Sequence, residues 1–210
     1  LVVNNKIKDE LIKEVMTQIK NIYGDDPLTS EYYGRIISKK HLDNLSSLLE
    51  GQKILHGGKI DATQKYFEPT LVEVKDFNSP LMQNEIFGPI LPVYGYKDFD
   101  EIDGIIKKYK NPLALYIFTK NIKFGEIFLH KYSFGGGAIN DTVVHIINDR
   151  LPFGGVGNSG MGNYHGEATF KTFSHFKPYI TKPLWIDIPL RYPPFEGKLK
   201  FLKKVLKLIS

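Results

Sequence analysis

Three glycines within PFGGVGNSGMGNYHG, residues 152–166, have the spacing of a dinucleotide-binding turn. The pattern G-x-G-x-x-G is formed by Gly155, Gly157 and Gly160. Such a turn needs a strand directly before it and a helix directly after it, because the helix N-terminus binds the pyrophosphate. Here Pro152 interrupts the approach, and the next helical pattern begins only at Gly166. The sequence therefore favours a tight loop that lets Phe153 enter a pocket over a nucleotide site.

A second stretch, NEIFGPILPV at residues 84–93, combines a carboxylate, two large apolar side chains and a turn. Taken alone, it is typical of a loop that enters a strand, with Glu85 solvated and Phe87 in the core. Either residue could instead face a ligand. The residue types alone favour the first interpretation, with Phe87 in the core.

The remaining candidates for chemistry are few. The chain has no cysteine, which excludes disulfides, thiolate metal sites and a cysteine nucleophile within these residues. No two histidines have metal-ligand spacing together with a carboxylate partner, so we predict no metal site. We expect Asn140 to hold a loop and His145, in TVVHII, to be a packed strand histidine.

The composition is that of an ordinary globular protein of 210 residues, with 42% hydrophobic and 24% charged residues. The net charge is +5, but five lysines and one glutamate lie in residues 196–210, so the rest of the chain is nearly neutral. This distribution argues against a broad nucleic-acid-binding face. The sequence shows neither a secretion signal nor an apolar run of membrane-spanning length, and we expect a cytoplasmic protein.

Strand and helix patterns alternate along the chain, which predicts an α/β domain with a largely parallel sheet. Helices are predicted at 6–22, at 38–50 with Ser38 as N-cap, after Asp98, at 123–131 and at 166–174. Strands are predicted at 1–3, 53–56, 67–74, 89–96, 113–118 and 142–147. Pro92 places its strand at a sheet edge or near a strand start, and LALYIF (113–118) suits a strand buried on both faces.

Six segments occur in the order and spacing of the NAD(P)-dependent aldehyde dehydrogenases, which the chain resembles over essentially its whole length. The segments are NEIFGPILPV, NPLALYIF, GGGAIND, LPFGGVGNSGMGNYHG, FKTFSH and RYPPFEGKLKFLKK. The likeness is to the class 3 and fatty-aldehyde branch. It implies an α/β catalytic domain, a mostly parallel twisted sheet flanked by helices, with a C-terminal extension and without the N-terminal Rossmann-like half. Residues 1–150 would form the catalytic core, and 151–210 the pocket loop, returning helix, strand and amphipathic tail.

The resemblance also implies roles for four residues. Glu85 matches the family's glutamate that accepts hydrogen bonds from the nicotinamide-ribose hydroxyls of NAD or NADP, and Phe87 the aromatic that packs against the nicotinamide. Phe153 matches the aromatic of the substrate pocket. His165 would line the same pocket, with a structural histidine bonded to backbone as the equal alternative. No catalytic residue is expected in this chain, because the family's cysteine, general base and Rossmann domain would lie upstream of Leu1.

The implied reaction is oxidation of an aldehyde through a cysteine thiohemiacetal, by a protein that is a homodimer in its full-length form. The isolated chain would then be inactive. The alternative is a standalone binding or assembly module with the same fold. The basic tail predicts an amphipathic helix, packed at the mouth of the substrate funnel and in weak contact with a membrane surface at most, or else a frayed tail.

Overall fold

The computed structural model describes residues 1–209, except for the side chains of Val205 and Ile209. The helices are α1 (Lys8–Tyr23), α2 (Lys39–Ser47), α3 (Phe99–Lys108), α4 (Ile122–Lys131), α5 (Val144–Ile147), α6 (Gly166–Thr172) and α7 (Leu199–Ile209). The strands are β1 (Val2–Asn4), β2 (Lys53–His56), β3 (Ile60–Asp61), β4 (Tyr66–Phe67), β5 (Thr70–Glu73), β6 (Ile90–Tyr96), β7 (Ala114–Ile117) and β8 (Gly136–Ile139).

The largest sheet has the strand order β1-β6-β5-β2. β6 pairs in parallel with both β1 and β5, whereas β2 is an antiparallel edge strand on β5. β7 and β8 form a separate parallel pair, and β3 and β4 a short antiparallel one. The predicted α/β class with a largely parallel sheet is confirmed.

The core lies where α2 packs on the β5–β6 side of this sheet. Its buried members are Leu42, Leu45, Phe67, Val72, Val74, Leu81 and Ile90. α2 forms as predicted, because the Ser38 hydroxyl accepts the His41 N–H and caps the helix. Leu42 and Leu45 lie on its inner face and are completely buried, with Leu48 and Leu49 packed beside them.

Pro92 lies in β6, a strand with a neighbour on each side. The expectation of an edge strand is therefore wrong, and the alternative, a position near a strand start, is confirmed. The Pro92 carbonyl accepts a hydrogen bond from the Leu1 amino group at 2.8 Å. Because the N–H and C=O of one strand residue face the same neighbour, the missing N–H falls on the β1 side, just ahead of the first paired residue, Val2.

Three expectations for the second half of the chain are corrected by the structure. Residues 144–147 form the short helix α5, because Asn140 (φ 60°) and Val143 (φ 66°) turn the chain through left-handed conformations directly after β8. β7 is half-buried at all four positions and is therefore not buried on both faces. Residues 151–209 contain only an isolated bridge between Phe153 and Tyr164, so the strand expected there is absent from this described part.

Asn140 does hold a loop, as expected from the sequence. Its side-chain oxygen accepts the Thr119 N–H at 2.7 Å, and its amide nitrogen donates to the Thr119 carbonyl at 2.9 Å. The amide side chain thus continues the β7–β8 ladder after its last backbone pair. It fixes the turn that leads into α5.

α3 joins the large sheet to the β7–β8 pair through aromatic and ionic contacts. Phe99 packs against Phe124 of α4 with ring centroids 4.9 Å apart. Asp103 accepts a hydrogen bond from the Tyr132 hydroxyl at 2.6 Å and pairs with Lys131 at 2.8 Å. These contacts place β7, β8 and the loops that follow them against the same body as β6.

Glu73, at the end of β5, is the charged centre of the large sheet. Its side chain is only 12% exposed, and it pairs with Lys8 of α1 and, at 2.8 Å, with Lys53 of β2. Hydrogen bonds from Lys53 and Lys8 lower the pKa of the Glu73 carboxyl from 4.5 to about 2. The charged form of Glu73 therefore stabilises the contact among α1, β2 and β5.

We expect Glu73→Gln to lower the free energy of unfolding at pH 7 by about 1–3 kcal/mol, since the exposed end of the Lys53 pair is screened by solvent. Because the folded-state pKa is depressed, this contribution is complete above about pH 5 and is lost as the pH falls towards 2. Urea unfolding across that range should show the variant and parent converging in acid. Glu126→Gln, at an exposed position of α4, is the control, and a pH-independent gap between Glu73→Gln and parent would contradict the prediction.

Candidate functional site

The turn EIFGP, residues 85–89, is held from beneath by the hydrophobic core. Ile86 packs against the core cluster around Leu45. A Cβ built on Gly88 would lie 2.7 Å from both δ carbons of Leu45, so the backbone of the turn rests directly on that side chain. Only glycine allows this approach.

Two hydrogen bonds fix the same turn from its sides. The Pro89 carbonyl accepts the Thr70 N–H at 2.8 Å, which ties the turn to the start of β5. His41 Nε2 donates to the Phe87 carbonyl at 2.9 Å, which ties it to the first turn of α2. The backbone of the turn is therefore fixed by β5 and α2, two elements whose inner residues belong to the core.

Glu85 and Phe87 are consequently directed away from the core. Phe87 is 78% exposed and has a left-handed backbone with φ 52°. The expectation from residue type alone, with Phe87 in the core, is wrong, because the half-buried Ile86 is the residue of the turn that packs against the core. A large aromatic held exposed in a strained conformation costs free energy, which favours a functional role for it.

Glu85 is exposed, and within residues 1–209 it takes part in no ion pair. Its carboxylate is therefore available as an acceptor for hydroxyl groups. The turn presents this acceptor and the face of an aromatic ring within three residues. That combination suits a ligand with a hydroxylated part and a flat part.

The glycine-rich loop lacks the geometry of a dinucleotide turn. A single 3-10 turn, Gly157–Ser159, lies between the bridge at Phe153 and α6, which starts six residues after Gly160. A Cβ on Gly155 would lie 2.2 Å from the Ser159 carbonyl, and Gly157 has φ 60°. The prediction of a tight loop is confirmed, and the glycines serve the close approach of the backbone to itself.

Phe153 opens this loop and is fixed by a two-way backbone bridge. Its N–H and C=O each bond to Tyr164 at 2.9 Å, so the loop closes on itself as a small hairpin. The Phe153 ring is half-buried and packs edge-on against Tyr164 at 5.4 Å. It also contacts two imidazoles, those of His145 at 6.0 Å and His165 at 6.1 Å.

His165 is hydrogen-bonded to the backbone, which agrees with the alternative of a structural histidine. It also lies beside Phe153. Its Nδ1 donates to the Leu151 carbonyl at 3.2 Å, and its backbone N–H donates to Thr169 Oγ1 at 2.7 Å. The ring is stacked on Phe153 with an interplanar angle of 28°. Its role as a lining residue stays a prediction.

The predicted site residues thus form two pairs. Glu85 and Phe87 share one turn, and Phe153 and His165 share one loop. No aromatic contact among the described residues joins Phe87 to the second pair. His41 and Tyr164, which hold the two segments by their backbones, were missed by the sequence analysis, because such roles depend on long-range partners.

No group of three or more His, Asp or Glu side chains in the described residues could hold a metal ion. No helix within residues 1–209 has both the length and the hydropathy needed to cross a membrane.

Residues 1–178 match the model of the aldehyde dehydrogenase family. The 4,4'-diaponeurosporen-aldehyde dehydrogenase of Staphylococcus aureus is 42% identical over 209 residues, which are 99% of this chain and 46% of the relative. The dimeric NADP-preferring aldehyde dehydrogenase of the dog is 40% identical over 195 residues, 92% of this chain and 43% of the relative.

A solved structure with the same fold is the substrate-bound state of Staphylococcus aureus AldH. It superposes with a TM-score of 0.83 at 42% identity, over 98% of this chain and 45% of that one. The chain therefore spans less than half the length of the first curated relatives that it matches.

We expect Gly88→Ala to destabilise the chain by about 1–3 kcal/mol, because the added methyl would overlap the fully buried Leu45. Gly104→Ala is the matched control. It lies in α3 with open space around the new methyl, so it should stabilise by about 0.5–1 kcal/mol through helix propensity. Urea unfolding of the two variants measures both effects. Equal stabilities for the two would show that Leu45 does not support the turn.

Proposed function

Because the chain belongs to the aldehyde dehydrogenase family, we propose that it forms the C-terminal part of an enzyme that oxidises aldehydes to carboxylic acids with NAD or NADP. The observation that carries this proposal is the EIFGP turn. The core holds its backbone, while the acceptor carboxylate of Glu85 and the ring of Phe87 stay free for a ligand.

The turn fits a nicotinamide nucleotide by its donor set. When bound, NAD(P) supplies the acceptor for the hydride that leaves the aldehyde carbon. The Glu85 carboxylate would accept hydrogen bonds from two ribose hydroxyls, since it has acceptors only and can take both protons. The Phe87 ring would pack against the nicotinamide and limit where it sits. The dog relative is named for its preference for NADP.

The nucleophile and general base of the proposed reaction would come from sequence upstream of Leu1, since this chain contains no cysteine. In this proposal Phe153 lines the substrate pocket beside the nucleophile, with His165 stacked behind it. The aldehyde is the only substrate class proposed. The full-length protein is proposed to be a homodimer, since the name of the dog relative describes that protein as dimeric. A cytoplasmic location is proposed as well.

The decisive experiment compares the 210-residue chain with the full-length protein. We expect NAD(P)-dependent aldehyde oxidation by the full-length protein and none by the isolated chain, because the thiol nucleophile is missing from the latter. Reduced nicotinamide absorbance under matched enzyme concentrations measures both. Turnover by the isolated chain would contradict the assignment of the nucleophile.

A non-catalytic binding or assembly module is the second candidate, since the described residues supply the supporting elements of a site and the chain contains no cysteine. The reading frame ahead of Leu1 separates the two. A cysteine within about ten residues before Leu1 and a Rossmann region further upstream favour the enzyme. A start codon at residue 1 favours the module.

For Glu85, we expect Glu85→Gln in the full-length enzyme to slow hydride transfer by about tenfold or more while cofactor affinity changes less. The shape is kept, but a charged acceptor is replaced by a neutral one, a change worth about 1–2 kcal/mol. Stopped-flow measurement of the first turnover reports the step directly. Glu126→Gln is the control for loss of a surface charge, and unaltered hydride transfer in Glu85→Gln would remove the role assigned to Glu85.

The C-terminal tail is helical, as predicted, over Leu199–Ile209. Leu199, Phe201, Leu206 and Leu208 remain exposed, with Leu199 at 63% and Leu206 at 64%, whereas Leu202 is half-buried. The sequence predicts one apolar stripe on this helix, formed by Leu199, Leu202, Val205, Leu206 and Ile209. The side chains of Val205 and Ile209 lie outside the described residues. We propose that this apolar side covers the mouth of the substrate funnel, with membrane contact by its lysines secondary.

Deleting residues 198–210 from the full-length enzyme should change its preference for long-chain over short-chain aldehydes by about tenfold, while short aldehydes are oxidised almost as before. Specificity constants for a series of linear aldehydes measure this. A truncation that ends after Ile209 serves as the control. An unchanged long-to-short ratio would leave the frayed-tail alternative in place.

A further inference from the structure

The two ring nitrogens of His145 are buried, and the proposed function gives this residue no role. It lies in the second position of α5. Neither of its ring nitrogens is accessible to solvent, and neither has a hydrogen-bond partner among the described residues. A neutral imidazole always carries one N–H and one bare nitrogen, so both groups lose their hydrogen bonds to water here. An apolar side chain would avoid that cost, and the imidazole therefore requires an explanation.

The shape of the surrounding slot supplies one. The ring lies against β8 at Gly136, where an added Cβ would be 2.6 Å from His145 Cδ2 and 2.9 Å from Nε2. Tyr116 of β7 meets it edge-on at 5.7 Å. Phe153 lies on another side, at 6.0 Å. The slot accepts a small flat ring pressed directly onto strand backbone.

His145 is also the ring that ties Phe153 to the β7–β8 pair. The other two aromatic neighbours of Phe153, Tyr164 and His165, belong to the same loop as Phe153. They would move with that loop. The contact with His145 is the aromatic contact in the described residues that fixes the Phe153 ring relative to the strands.

We propose that His145 is a positioning residue that holds the Phe153 ring in place and thereby sets which aldehydes the substrate pocket accepts. The inference rests on the proposed function, because it assumes that Phe153 faces the substrate. A smaller side chain at 145 lets the Phe153 ring move back towards β7 and β8 and widens the pocket. A larger side chain at Gly136 of β8 displaces the imidazole and moves the Phe153 ring in the opposite direction, which narrows the pocket.

Two substitutions in the full-length enzyme test the two directions. His145→Ala should raise the specificity constant for a branched or aromatic aldehyde, relative to that for propanal, by about tenfold and mainly through KM, as expected for one or two added methylenes of space. Gly136→Ala should lower the same ratio, since the three atoms nearest to the new methyl all belong to the His145 ring. In the His145→Ala background, Gly136→Ala should have almost no effect.

A double-mutant cycle with Phe153→Leu separates positioning from general structural support. If His145 acts through Phe153, His145→Ala changes the aldehyde ratio less than about twofold once Phe153 is leucine. Val144→Ala, at a 44% exposed position of the same helix, is the control and should leave the ratio unchanged. Equal losses for every aldehyde, or independent effects of the two substitutions, would overturn the proposal.

Urea unfolding of the same four proteins distinguishes a failure of the proposed function from a failure of the positioning role of His145. If the full-length parent oxidises no aldehyde, the proposed function fails. The unfolding measurements then test the contact between His145 and Phe153 by themselves. If the effects of the two substitutions on the unfolding equilibrium constant are coupled by about fivefold or more, the placement of Phe153 by His145 is still supported. Additive ones would overturn it whatever the activity.

Discussion

The close packing of the EIFGP turn onto Leu45 is the contact on which the candidate cofactor site depends. Leu45 is completely buried, and the space for a Cβ at Gly88 is already filled by its methyl groups. Because protein interiors are packed at crystal-like density, such a contact leaves the turn little freedom. Ile86, the Thr70–Pro89 hydrogen bond and the His41–Phe87 hydrogen bond then fix its orientation. Glu85 and Phe87 are exposed because the core holds the backbone at Gly88 and the side chain of Ile86.

The Phe153 loop, which forms the second half of the site, is held in place in a different way. The Phe153 loop has little buried hydrophobic support of its own, and glycines allow it to close tightly upon itself. The bridge to Tyr164 sets its backbone, and stacked rings set its side chains. His145 and the Asn140–Thr119 hydrogen bonds connect this region to β7 and β8. One half of the site is therefore placed by a core, and the other by a short ladder with polar and aromatic contacts at its end.

Glu73 shows how charge completes the large sheet. The lysines that hold it come from α1 and β2, which lie far apart in sequence, and the hydrogen bonds that they donate lower the pKa of the Glu73 carboxyl. The basic tail contributes nothing to this arrangement. The net charge of +5 therefore describes the C-terminus and says little about how the body of the chain is stabilised.

By itself, the sequence determined the α/β class, the position and cap of α2, the central strands and the rejection of the G-x-G-x-x-G pattern as a nucleotide turn. These features depend on local signals: periodicity, a capping serine, and a proline where a strand would be needed. The family membership followed from ordered motifs. Only the tertiary structure decided that Ile86 packs against the core while Phe87 is exposed, that residues 144–147 are helical, and that β6 is central in spite of Pro92. Each of these depends on a partner distant in sequence: Leu45 under Gly88, Thr119 beside Asn140, and Leu1 facing Pro92. Local propensity carries no information about such partners, because they act only after the chain has packed.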